Sequence, residues 1–202
     1  MMTAYQPKPA EIRALRDKTG APMMDCRNAL IEANGDMEQA EKLLLERGKA
    51  QAAKKAERTA DEGLVTSYIH PGGKIGVLVE LNSETDFVAR SEKFVTLARD
   101  IAMHIAAMSP LYIDRESVPA DVLIAKRDEL AEDVPADKKP EIAQRIVDGK
   151  LRRWYEEHCL VDQPFVKDDT LTVGELIASA IGILGERILV RRFARFALGD
   201  SQ

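Results

Sequence analysis

The apolar residues of this chain change period near Gly63, and that change limits the folds open to it. Downstream, Ile75, Val77, Val79 and Leu81 alternate with other residues, a spacing that shares one face of an extended strand. Their run, KIGVLVEL, follows LVTSYI with HPGG between, and a Gly-rich turn of this kind predicts an antiparallel hairpin. After the second run the spacing returns to three and four. Phe94, Leu97, Ala98, Ile101, Ala102, Ile105 and Met108 predict an amphipathic helix packed on the sheet. A final helix over about 172–184 leads to RILVRRFARFAL, a last strand that would complete a three-stranded antiparallel sheet. The class expected is α+β.

Upstream of Gly63 the pattern is helical. Pro9 suits a first helical position, and Ile12 and Leu15 begin an apolar face that ends before Gly20. Pro22 can open a second helix carrying Met23, Cys26, Ala29 and Leu30 at helical spacing. Asn34–Asp36 reads as a turn, and Asp36 with Gln39 reads as the cap of a third helix, whose face is Met37, Ala40, Leu43 and Leu44 before Gly48. Three short helices of this kind form a small bundle. The Ala-rich, charged stretch after it is a helical linker or a helix extension, giving an N-terminal domain over 1–56 and a core domain over 57–202. Within the core, 117–160 reads as two helices joined by the polar AEDVPADKKP, an antiparallel helical hairpin that could project from the body.

Function classes fall away in turn. A net charge of −5 does not suit a chain built to hold a polyanion. The basic residues Lys49, Lys54, Lys55 and Arg58 read best as a solvated helix face. Arg191, Arg192 and Arg195 with Phe193 and Phe196 read best as one side of a strand, although such residues can also stack on RNA. Specific nucleic-acid binding is not expected. Cys26 and Cys159 are the only cysteines, outside any ligand spacing, and read as small buried thiols. The N-terminus lacks an apolar signal-peptide core, and no run reaches membrane-spanning length. A soluble cytoplasmic protein without membrane contact is expected. There is no phosphate-binding glycine loop, nucleophile elbow or paired metal-ligand motif. No catalytic residue, metal or cofactor is expected. His104 lies on an apolar helix and reads as a satisfied core residue, whereas His70, at the hairpin turn, reads as exposed.

One stretch resists this plain reading. In ELNSETDFVAR (80–90) a large aromatic, Phe87, stands beside Asp86 at a strand exit, where small polar residues usually satisfy free backbone groups. Phe87 is either buried under its own fold or held out to enter another protein. Met23 and Met24 raise a similar question. Being adjacent, they cannot both enter one helical core face, so one is expected at the surface, where a flexible thioether suits partner contact.

Three segments together, LRDKTGAPMMDCRNAL, SETDFVAR and QPFVKDD, resemble the translation elongation factor Ts family in order and setting. The RRFARFALG ending and the helical hairpin are similar too, so the resemblance covers essentially the whole chain. It implies guanine-nucleotide exchange on the GTPase elongation factor Tu, in its GDP-bound and nucleotide-free states. It also implies a ubiquitin-associated-like three-helix N-terminal domain. By this resemblance Thr85, Asp86, Phe87 and Val88 enter the partner's GTPase domain near its magnesium site. Arg16, Met23 and Met24 contact the same domain, and His70 also faces the partner. Ser91 stands where family members usually carry Asn, a change expected to affect helix capping. Longer members have two related core halves, and this chain combines their features in one. A symmetric homodimer that rebuilds the missing half is therefore expected.

Overall fold

A computed structural model describes residues 5–135 and 137–200. Among them are eight α-helices, a three-stranded antiparallel sheet and a two-stranded ribbon. The chain forms two compact units. One holds the described residues of 1–66 with Glu80–Arg99 and Glu175–Arg191; the other holds Ser67–Val79 and the described residues of 100–174 and 192–202.

The first unit begins with α1 (Pro9–Thr19), α2 (Met23–Glu32) and α3 (Met37–Lys55). Proline opens α1, and the Glu11 carboxylate accepts the Lys8 N–H at 2.7 Å, satisfying one of the helix's free donors. The helix stops at Gly20, whose left-handed backbone returns its N–H to the Arg16 carbonyl. Asp36 caps α3, accepting from the Gln39 N–H at 3.0 Å. Leu15, Cys26, Ala29, Leu30 and Ala40 are buried together, with Ile12, Met37, Leu43 and Leu44 packed against them. These are the residues whose spacing predicts the bundle.

The third helix does not stop at Gly48. It continues to Lys55, so the Ala-rich stretch is a helix extension. The reason is close packing. α8 (Val173–Leu184) crosses at Gly48, and a methyl added there would lie 2.8 Å from the Ala178 carbonyl oxygen. Glycine is used here for the contact it allows between two backbones. Lys49 then pairs with Glu46 at 2.7 Å and Glu175 at 3.0 Å, and Lys55 donates to the Gly185 carbonyl at 2.7 Å. Arg58 pairs with Glu84 at 3.2 Å. Three of the four basic residues in this stretch are thus held by the chain itself.

The sheet has the order β1-β2-β5, from β1 (Glu62–Ile69), β2 (Ile75–Ser83) and β5 (Leu189–Ala197). Val77, Val79 and Leu81 are buried while Leu78 is exposed, the alternation expected of a strand with one covered face. In α5 (Glu92–Met108), Phe94, Leu97, Ala98, Ile101, Ala102 and Ile105 are buried, but Met108, at the helix end, is half-exposed. Ser91 precedes α5, its Oγ accepting the Phe94 N–H at 3.4 Å.

In the second unit, α6 (Ala120–Glu132) and α7 (Pro140–His158) share an apolar cluster of Leu130, Val147, Leu151 and Tyr155 with Val118 and Cys159. Trp154 stacks on His158 with ring centroids 4.7 Å apart, and the Arg115 guanidinium lies 5.0 Å from the Tyr155 ring centre. A ribbon absent from the sequence reading follows, β3 (Pro164–Phe165) with β4 (Asp168–Thr172). It accounts for QPFVKDD. The fully buried His104 meets the Gln163 Oε1 at 2.9 Å through Nε2, and its Nδ1 accepts the Val166 N–H at 3.2 Å. An amide N–H can only donate, so Nε2 carries the proton and the imidazole is neutral. The Gln163 amide donates to the Glu157 carbonyl at 2.7 Å. Burial pushes the His104 pKa below its ordinary value, and the Gln163 bond opposes that shift.

Candidate functional site

At the end of β2, Ser83 is buried and donates to the Thr85 carbonyl at 2.9 Å. The chain then makes one helical turn, α4 (Asp86–Ala89), capped by Thr85 in an extended conformation. Successive side chains of a helix are about 100° apart, so a four-residue turn has distinct inner and outer faces. Val88 and Ala89 take the inner face and are buried. Phe87 takes the outer face and is 81% exposed. The first alternative for this aromatic, burial under its own fold, is therefore wrong: none of the apolar surface nearby covers it.

The turn is held from a distant part of the chain. Thr85 Oγ1 donates to Glu186 Oε1 at 2.7 Å while accepting the Val88 N–H at 3.3 Å, and the Thr85 N–H donates to Glu186 Oε2 at 3.0 Å. Next to these, Glu84 accepts the Arg187 N–H at 2.6 Å. That bond, followed by the Arg58 guanidinium, holds the Glu84 carboxyl below the usual carboxylate range. The Arg187 side chain in turn donates to the Arg58 carbonyl. Asp86 pairs with Arg90 across one turn of exposed surface, an arrangement that adds little stability.

Arg16, Met23 and Met24 lie in the same compact unit as this turn. All three are exposed, Met23 by 45% and Met24 by 60%. The placing of Met23 on the apolar face of the second helix needs correction. α2 begins at Met23, so both residues belong to its first turn, ahead of the inward face formed by Cys26, Ala29 and Leu30. Lys93 donates to the Gly20 carbonyl at 2.8 Å, tying the α1–α2 turn to α5. His70 is exposed and belongs to the other unit. Its backbone closes the β1–β2 turn, with N–H to the Ile75 carbonyl and carbonyl to the Gly73 N–H, each at 2.9 Å. Its Nδ1 lies 3.3 Å from the Tyr68 hydroxyl.

The family model described as elongation factor TS matches residues 37–200, from α3 through β5. The chain belongs to the elongation factor Ts family. Curated relatives carry the same name. The Elongation factor Ts of Koribacter versatilis is 53% identical over 192 residues, 95% of this chain and 88% of that protein. That of an Anaeromyxobacter strain is 56% identical, with 94% and 87% covered, and that of Solidesulfovibrio magneticus 49%, with 95% and 96%.

Among the described residues, no group of three or more His, Cys, Asp or Glu could hold a metal ion. No helix there is long and apolar enough to cross a membrane. Sequence reasoning missed Glu186 and Arg187. Both lie about a hundred residues from the turn they hold, and the only signal was the charged pair directly after Gly185.

Proposed function

We propose that Thr85–Val88 form the element by which this chain opens the nucleotide site of its GTPase. As a member of the elongation factor Ts family, the protein is a guanine-nucleotide exchange factor for elongation factor Tu. Exchange requires no catalytic group. A factor that binds the nucleotide-free GTPase more tightly than the GDP-bound form weakens GDP by the same ratio. The GTPase holds its phosphates through backbone amides, a lysine and Mg²⁺, so displacing the elements that carry these ligands releases the nucleotide. On this reading the chain is a binding protein rather than an enzyme.

The observation that carries the assignment is Phe87, 81% exposed on a turn fixed at both ends. Entering an apolar crevice of the partner would bury an aromatic ring that water now surrounds. That gain exists only once the partner's helices have parted. Asp86 would set the register of insertion by hydrogen bonds, while Thr85 and Val88 shape the turn. Arg16, Met23 and Met24 would contact the same GTPase domain, with His70 providing a further contact. Release of a fluorescent GDP analogue from elongation factor Tu tests this: the factor accelerates release many-fold, and an unchanged rate would overturn the reading.

The finer organisation follows the same reading. Helices α1–α3 are ubiquitin-associated-like, in a domain over 1–56 set on a core over 57–202. Helices α6 and α7 form an antiparallel projection within 117–160. The factor works in the cytoplasm without membrane or nucleic-acid contact, as a symmetric homodimer. Exposed Ile69, Leu78 and Phe196, all within the second unit, support the dimer as apolar side chains on strands that water would otherwise cover.

A further inference from the structure

We infer that Glu186 is a positioning residue for exchange, acting through Thr85 to hold the Phe87 turn in its inserting conformation; this rests on the reading of Phe87 given above. A turn of four residues cannot sustain itself, because a helix nucleus fixes several dihedrals for its first hydrogen bond. Left alone, the segment after β2 would sample many conformations, and an unsupported phenylalanine would settle on nearby apolar surface. In this chain two bonds to one carboxylate oppose that. Glu186 Oε2 accepts the Thr85 N–H at 3.0 Å, a donor that no residue of α4 satisfies. Glu186 Oε1 accepts the Thr85 hydroxyl proton at 2.7 Å.

The second bond has a consequence beyond its own strength. A threonine hydroxyl has one proton and two lone pairs. With the proton held by Glu186, a lone pair is free to receive the Val88 N–H, and the distance found is 3.3 Å. The carboxylate thus orients the cap of α4 from 101 positions away in sequence. Its own place is set by the end of α8. Gly185 has φ +75°, a left-handed residue that ends the helix by returning its N–H to the Ile181 carbonyl at 2.9 Å. Lys55 holds the Gly185 carbonyl at 2.7 Å. The neighbouring bond from the Arg187 N–H to Glu84, 2.6 Å, runs in the opposite sense. Each segment therefore offers the other a carboxylate and takes a backbone N–H in return.

A factor whose inserting conformation is only partly populated acts in proportion to that fraction. Hydrogen bonds to a charged group are the stronger kind, so Glu186→Ala is expected to lower the maximal rate of GDP release at saturating factor about tenfold. Half-saturation should change less, since Arg16, Met23 and Met24 are untouched. Glu186→Gln keeps one acceptor and should recover part of the rate. The deciding measurement combines four proteins: wild type, Glu186→Ala, Phe87→Ala and the double variant. If Glu186 acts through Phe87, its removal costs nothing further once Phe87 is gone. Amide hydrogen exchange supplies a readout apart from activity. The Val88 N–H should exchange faster in Glu186→Ala, while the buried strand β2 keeps its protection.

Full activity in Glu186→Ala, or equal losses with and without Phe87, would overturn the inference and leave the reading of Phe87 in place. If Phe87→Ala itself exchanges normally, the reading of Phe87 fails first. Loss of protection in β2 as well would mean a general structural role for Glu186, and would also overturn the inference.

Discussion

Phe87→Ala removes a side chain on which the fold makes almost no demand. Its ring is 81% exposed, so truncation leaves no cavity, and global stability should stay within about 0.5 kcal/mol of wild type. The effect on exchange should be much larger. Full burial of such a side chain is worth about 1.5–3 kcal/mol. Scaling by the four-fifths still open to water gives roughly 1.2–2.4 kcal/mol. On the proposed reading this gain belongs to the opened GTPase alone, so GDP release should slow by about 8- to 60-fold. Any crevice left unfilled in the partner adds to the loss. Stopped-flow release of a fluorescent GDP analogue, at several factor concentrations, measures the rate, and urea unfolding checks the fold. An unchanged rate with unchanged stability would refute the wedge. A slowed rate with a destabilised fold would refute the claim that Phe87 carries no structural duty.

Gly48→Ala should destabilise the protein by about 1–3 kcal/mol despite alanine's better helix propensity, because its methyl would meet the Ala178 carbonyl oxygen at 2.8 Å. A raised urea midpoint would show that the two helices yield easily. The lowered pKa of His104 means that an unfolded chain takes up a proton that the folded chain excludes. Stability from this group is therefore complete above about pH 6.5 and declines as pH falls towards the folded pKa, by at most about 1.4 kcal/mol per pH unit. His104→Gln should flatten that part of the profile, and identical profiles would contradict the burial argument. Light scattering at micromolar concentration should give twice the chain mass, and Leu78→Lys should return it to one. A wild-type monomer would remove the dimer.

Most of the fold was legible because it rests on local pattern. The alternation of Val77, Val79 and Leu81 and the helical spacing from Phe94 to Ile105 report which face is covered, and the structure covers those faces. Asp36 caps as its position suggests. What local pattern could not carry was tertiary. Gly48 looks like a helix stop in sequence, but it is a crossing point with α8. Met23 and Met24 are both exposed because α2 starts where they stand. The ribbon of β3 and β4 is too short for periodicity to mark. At the candidate site, Phe87 was conspicuous as a misplaced aromatic, and its exposure answers the structural half of the question. The bonds to Glu186 and from Arg187 depend on pairing between residues far apart, which no window of sequence contains.

The uninterrupted third helix bears on how force would pass between this factor and its GTPase. Its 19 residues span about 28 Å at 1.5 Å per residue. One end is packed among α1 and α2, and the other is fastened through Gly48, Lys49 and Lys55. It is a strut and not a tether. Two contact surfaces joined by a flexible tether settle independently, each finding its own fit at an effective concentration set by the tether's length. If the methionine pair and Phe87 are the contacts proposed above, a strut would present them together at a fixed spacing, with little further chain freedom to lose. On the proposed reading, any mismatch between that spacing and the resting GTPase would fall on the partner and not on the strut.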